Sequence, residues 1–120
     1  MTTKDILNLD CREEENKVKI QRVLRQLKPL SKYSEEEDIP LTAIEKVIKI
    51  MCNKYQIRIS AIRVDIWSNK KYDIWKAEVI DDSNLSRVEM VYGTSIYELL
   101  AKVAILIYSE IKKERLRVRT

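Results

Sequence analysis

TSIYELLAKVAILIYSEIKKE, Thr94 to Glu114, is the stretch on which the fold turns. Ser95 followed three residues later by Glu98 marks a helix start: the serine oxygen accepts from an early backbone N–H and the glutamate reaches back. Ile96, Leu99, Leu100, Val103, Ile107 and Ile111 then share one helical face. The opposite face offers Ala101, Ala104 and Tyr108, with Lys102 the only charge between Glu98 and Glu110. A helix apolar nearly all round has to be covered on two sides. Two coverings are open, the chain's own amino-terminal helix or a dimer or partner interface on the outer face.

Upstream of this helix the hydrophobic period changes from helical to two. In 58–67, Ile62, Val64 and Ile66 alternate with Arg63 and Asp65; in 72–80 the inward set is Trp75, Ala77 and Val79. In 85–92, Val88, Met90 and Tyr92 lie on one side and Arg87 and Glu89 on the other. The polar turns Ser68-Asn69-Lys70-Lys71 and Asp81-Asp82-Ser83-Asn84 join the three strands into an antiparallel meander. Gly93, the only glycine, separates the third strand from the last helix.

Before the meander, Thr42 with Glu45 forms a second capping box, and Ile44, Val47, Ile48, Met51 and Tyr55 have the spacing of one helical face. That helix packs on something flat, which the sheet supplies. Further upstream, Asp10 with Glu13 starts a helix over 11–28, with the stripe Ile20, Val23, Leu24 and Leu27. Glu13, Glu14 and Glu15 suit its positive end, Arg25 and Lys28 its negative end, and Pro29 ends it. Residues 31–40 carry the acidic run Glu35, Glu36, Glu37 and Asp38 and read as a loop or exposed linker.

The fold class is therefore α+β: an amino-terminal helix, then α-β-β-β-α with a three-stranded antiparallel meander packed against helices. Residues 1–39 form the amino-terminal helix and acidic linker, 40–114 the core, and 115–120 a basic tail. At 120 residues, 45% hydrophobic and 35% charged, the chain is one domain with a core of its own. Cys11 and Cys52 lie outside any CxxC or histidine context and read as reduced. No apolar run approaches the roughly 20 residues that span a bilayer and residues 1–10 carry no secretion signal, so a cytoplasmic protein without membrane contact is expected.

The chemistry expected of the chain is non-enzymatic. It has no histidine, the commonest general base and metal ligand, and no Gly-rich phosphate loop, nucleophile elbow or paired carboxylates at a recognisable spacing. The acidic runs 35–38 and Asp81-Asp82 lack the alternating ligands and turn glycine of a calcium loop and read as solvated loops. No metal and no cofactor is expected.

Charge is the main functional signal. The net charge is +4, yet residues 1–39 hold eight basic and nine acidic residues, whereas residues 93–120 hold six basic and three acidic. Lys112, Lys113, Arg115, Arg117 and Arg119 form a basic tail able to neutralise several phosphates, or simply cations suited to a helix carboxy terminus. Asn69, Lys70 and Lys71 tip the first hairpin, flanked by Trp67 and Trp75. Alternation assigns Trp75 to the core and leaves Trp67, out of phase with Ile62, Val64 and Ile66, exposed as an anchor for a partner.

Over 42–114 the order helix, three-stranded meander, helix resembles the double-stranded-RNA-binding domain, and it also resembles small accessory proteins of bacteriophages and mobile elements. The RNA-binding family places a basic cluster at the start of its last helix and a histidine in its first hairpin. Here the helix starts Thr94-Ser95-Ile96-Tyr97-Glu98 and the hairpin offers only Lys70 and Lys71. The richness in Lys, Ile, Glu and Asn looks like an AT-rich bacterial or phage genome. The phage likeness implies a protein that binds and modulates or inhibits a host machine such as a defence nuclease. The partner expected first is a host or phage protein, met by Trp67, the hairpin tip, the basic tail or the acidic loop; the alternative is a nucleic acid on the tail and first hairpin, and a homodimer through the last helix is a further option.

Overall fold

The computed structural model describes residues 2–56, 62–69, 74–81 and 86–119, with side chains described for 2–52, 64–68, 74–80 and 89–113. Among the described residues, four α-helices and three strands follow one another as α1 (Thr3–Leu7), α2 (Glu14–Leu24), a 3-10 turn at Lys28–Leu30, α3 (Leu41–Gln56), β1 (Ile62–Asn69), β2 (Ile74–Asp81), β3 (Ser86–Gly93) and α4 (Ile96–Arg119). The strands form one antiparallel sheet in the order β1-β2-β3. The expected α+β layout holds.

α4 is the centre of this arrangement. It lies on β2 and β3 and is touched by α1, α2 and α3, while α3 also reaches β1. Every residue from Glu98 to Ile107 is buried. Of the two coverings open for this helix, the chain itself supplies them: sheet on one side, α1 and α2 with α3 on the others. Each fully buried Leu, Ile or Val contributes roughly 1.5–3 kcal/mol, and Leu99, Val103 and Ile107 meet Ile20, Leu24, Ile44, Ala77, Val79 and Val91 in one core cluster. The apolar side chains from Leu99 to Ile107 are spent inside the chain's own core.

The amino-terminal region departs from the expected single helix over 11–28. Thr2 and Asp5 form a reciprocal capping box that starts the short α1, whose Ile6 enters the core and whose Thr3 hydroxyl donates to the Ser109 hydroxyl at 3.2 Å. Asp10 does not cap α2. Its carboxylate accepts from the Arg12 backbone N–H and guanidinium, which holds the carboxyl down to about 2, and the chain turns before α2 begins behind Glu13. Cys11 therefore sits in a turn, not in a helix. α2 ends at Leu24, four residues before the expected stop, because the chain tightens into the 3-10 turn carrying Pro29.

Residues 31–40 are fastened rather than loose. Leu30 and Ile39 are each 1% exposed. The Tyr97 hydroxyl donates to the Ile39 carbonyl at 2.6 Å and accepts from the Gln21 amide at 3.1 Å, and Arg25 donates to the Glu37 carbonyl at 2.7 Å. α3 starts at Leu41, so Thr42 lies inside the first turn instead of capping it.

In the sheet, Ala77 and Val79 are fully buried and Trp75 packs against the core, as alternation predicts. On β3 the side carrying Met90 and Tyr92 faces away from the helices, and Val91 and Gly93 face them. A register shift between Val79 and Ile80, opposite Glu89 and Arg87, bends β3 at that point. Gly93 is required by close packing: a Cβ there would lie 2.8 Å from the Leu99 backbone nitrogen. Among the described residues no helix is long and apolar enough to cross a membrane.

Candidate functional site

With all the helices on one side, the other side of the sheet carries the outward residues of three strands. Antiparallel register aligns them in rows. Trp67 of β1 pairs with Lys76 of β2, which pairs with Tyr92 of β3; one step along the strands, Asp65 pairs with Glu78 and Glu78 with Met90. Trp67 is 45% exposed, Tyr92 54% and Ile74, beyond Lys76 on the same strand, 44%. The Lys76 ammonium stands 5.4 Å from the centre of the Trp67 ring, a cation–π contact on the surface. Asp65 and Glu78 also engage groups within the chain.

β1 is exposed on both faces from Ile66 to Ser68. On the inner side Val64 packs against the core, but Ile66 is 42% exposed and Ser68 is exposed, because α3 covers only part of β1. Ile66 and Ser68 on the inner side and Trp67 and Ile74 on the outer side are thus all exposed. Large apolar residues in contiguous exposed groups mark interaction surfaces more often than scattered ones do.

Of the residues singled out from sequence, Trp67 stands on this surface, on the edge strand β1, and Trp75 packs inward. Asn69 is the last residue of β1, paired with Ile74. Its side chain, and Lys70 and Lys71 altogether, lie outside the described residues. Lys112 and Lys113 are exposed; Lys112 covers the Tyr108 ring at 5.0 Å and Lys113 pairs with Glu110 at 3.2 Å. The tail expected from residue 115 onward is backbone of α4, which runs to Arg119, and the side chains of Arg115, Arg117 and Arg119 lie outside the described residues.

Among the described residues, the hairpin end of β1 and the Lys112–Lys113 pair stand apart. α4 begins beside the end of the sheet where Gly93 pairs with Trp75, and a rise of 1.5 Å per residue carries Lys112 roughly 24 Å along the helix from Ile96. The acidic run is likewise divided in its roles. Asp38 takes an ion pair from Lys17 at 3.8 Å and a hydrogen bond from Gln21, and Glu37 accepts from the Ser34 hydroxyl, while Glu35 and Glu36 are exposed.

Two candidate nucleophiles are silenced by their surroundings. Burial, with the Glu98 carboxylate next, pushes the Cys11 thiol up to about 12, and burial raises Cys52. Both are protonated at neutral pH and so are weak nucleophiles and weak metal ligands. Among the described residues no group of three histidine, cysteine or acidic side chains could hold a metal ion.

Sequence reading found Trp67 and missed the rest of its row. Lys76 and Tyr92 were legible only jointly: period-two alternation gives the face of each, and the register that lines them up depends on loop lengths. No family model, no curated protein and no solved structure matches the chain.

Proposed function

We propose that the protein is a non-enzymatic binding protein that engages another protein through the open face of its sheet. The observation that carries this reading is the exposed row Trp67–Lys76–Tyr92 on a face that no helix covers. Exposed tryptophan and tyrosine on a rigid element are the side chains from which binding hot spots are built. Charges of both signs lie side by side there, Lys76 next to Glu78 and Asp65. That mixture suits a polypeptide surface; the carboxylates would repel a phosphate backbone. Lys76 also covers the Trp67 ring that a base would need for stacking. The likeness of the element order to phage and mobile-element accessory proteins adds a class of target, a host component such as a defence nuclease.

A photo-crosslinking residue placed at position 67 of the full chain tests the reading. Light-dependent adducts to a polypeptide are the expected result. Absence of any protein adduct, together with binding to nucleic acid, would overturn it.

A second reading rests on the exposed Lys112 and Lys113 near the end of α4. Labelled duplex RNA, duplex DNA and single strands titrated across a salt series examine it. Affinity that falls linearly in log salt and is lost on charge removal at 112 and 113 would favour a nucleic-acid binder.

A further inference from the structure

Among the described residues the sheet ends in two edge strands, β1 and β3, and they are finished differently. On β3 the Met90 backbone N–H donates to the Glu89 carboxylate at 3.1 Å, and the Tyr92 carbonyl accepts from the Lys102 ammonium at 3.0 Å. Side chains of the chain itself thus take up main-chain groups at that edge. The register shift opposite Glu89 and Arg87 interrupts the strand further. Bulges and charged side chains are the means by which sheets keep an edge from pairing. β1, by contrast, keeps one unbroken register with β2 from Ile62 to Asn69. Among the described residues no hydrogen bond outside that ladder reaches Ile66 or Ser68.

The capped groups of β3 also fix which way the backbone of β1 faces. In an antiparallel ladder a residue turns its N–H and C=O together toward one neighbour, and successive residues alternate. Met90 and Tyr92 meet side chains and so face away from β2; their partners Glu78 and Lys76 therefore bond to Asp65 and Trp67 instead. The intervening Val64, Ile66 and Ser68 turn their N–H and C=O to the free edge. These donors and acceptors recur every second residue, roughly 7 Å apart. Ile66, 42% exposed, and Ser68 border the edge on the helical side, and Trp67, 45% exposed, borders it on the other.

An array with this period is complementary to another extended backbone. We infer that the free edge of β1 takes an extended segment of a partner polypeptide as a fourth strand, paired with Val64, Ile66 and Ser68. The inference rests on the reading of the protein as a polypeptide binder and names the place and form of the bound polypeptide. Side chains of the segment fall alternately beside Ile66 and beside Trp67, so β-branched and aromatic residues suit it and proline does not. A second copy would bring a folded sheet to the same edge. From Val64 to Ser68 that edge is roughly 17 Å long and one strand wide, far short of the about 1,200 Å² of a specific interface between folded domains. A short segment needs only its main-chain bonds and the flanking side-chain contacts.

A display library of random dodecapeptides, panned on the immobilised full chain, supplies the probe. Enriched sequences should carry β-branched and aromatic residues in a stretch free of proline. A synthetic copy of the strongest binder is then methylated at one backbone nitrogen at a time. Only every second methyl should weaken binding, by about ten-fold or more, because an added strand donates alternate amides. Ser68→Pro and Ile66→Lys in the protein should weaken it as much. Ser68→Pro removes an N–H that points away from β2, so its melting should match the parent's, and Ile66→Lys changes an exposed side chain and serves if Ser68→Pro does not fold. No enrichment, methyl effects without the two-residue period, or binding untouched by Ile66→Lys overturns the inference. So does a rise toward twice the 14.2 kDa chain mass on concentration that Ile66→Lys abolishes, which would give the edge to a second copy. The two readings fail separately: a protein adduct from position 67 without the two-residue period refutes strand addition and leaves the open face as the binding surface, whereas neither adduct nor bound peptide refutes both.

Discussion

Glu98 and Lys102 form an ion pair, at 3.8 Å and one helical turn apart, with side chains only 1% and 4% exposed. Both are used by backbone as well. Glu98 accepts from the N–H groups of Cys11 and Thr94, tying the α1–α2 turn and the end of β3 to the start of α4, and Lys102 donates to the Tyr92 carbonyl at 3.0 Å. The pair therefore sits where three segments meet. Removing one partner of a buried pair costs about 3–5 kcal/mol. The two removals should not cost the same. Glu98→Ala leaves two backbone donors without their acceptor and a buried ammonium without its counter-charge, held by the Tyr92 carbonyl, whereas Lys102→Met leaves a carboxylate still held by two N–H groups. Urea unfolding should rank Glu98→Ala as the more damaging, and equal midpoints would refute the role given to Glu98.

Gly93→Ala addresses the same junction by shape alone. The added methyl would stand 2.8 Å from the Leu99 nitrogen and 3.1 Å from a Glu98 carboxylate oxygen, so backbone has to move. A loss of about 1–3 kcal/mol is expected, the usual range for overpacking. Thermal melting would show it, and an unchanged midpoint would mean that β3 and α4 part more easily than their packing implies.

How much of this was legible beforehand follows from which forces decide each element. The order of α3, the three strands and α4 is written in local periodicity, and so is the burial of Trp75, Ala77 and Val79. The α1 signal was also present, since Thr2 stands three residues before Asp5 and ahead of Ile6. It is short enough that only packing on α4 makes it a helix. Thr42 was misassigned because α3 already begins at Leu41, and the roles of Asp10 and Glu98 because a capping pattern names the residue types but not the competing partner. Arg12 draws Asp10 away, and Glu98 reaches Thr94 and Cys11, while Ser95 alone accepts from the Glu98 N–H. The aromatic row was hidden because alternation groups Tyr92 with Val88 and Met90 without saying which side of β3 meets the helices; it is Val91 that turns toward the core.

The Cys11 thiol gives the protein an alkaline signature. Its folded value of about 12 stands above its ordinary 9.0, so unfolding releases a proton at high pH. The associated stability is whole below pH 9.0 and is lost as pH rises toward 12. Cys52 and Tyr97, both raised chiefly by burial, act in the same direction. Stability measured between pH 8 and 11 should thus fall more steeply in the parent than in Cys11→Ala. The same protonation should make the native thiol slow toward an aromatic disulfide reagent at neutral pH and fast once urea unfolds the chain. Rapid native labelling at position 11 would contradict the burial described.

Trp67 and Trp75 lie eight residues apart in sequence and on neighbouring strands, but on opposite faces of the sheet, and the contrast separates surface from core. Trp75 packs against the cluster of Ala77, Val91 and Leu99, so Trp75→Ala should cost about 2–4 kcal/mol, somewhat less than a fully buried tryptophan. Trp67→Ala removes an exposed ring and its contact with Lys76, and the expected loss is about 0.5–1 kcal/mol. The parent's fluorescence should then divide accordingly. In Trp75→Ala the remaining emission should be red-shifted and readily quenched by iodide, and in Trp67→Ala blue-shifted and protected. If Trp67 is as costly to remove as Trp75, the outer face is part of the folding core and cannot be the surface left free for a partner.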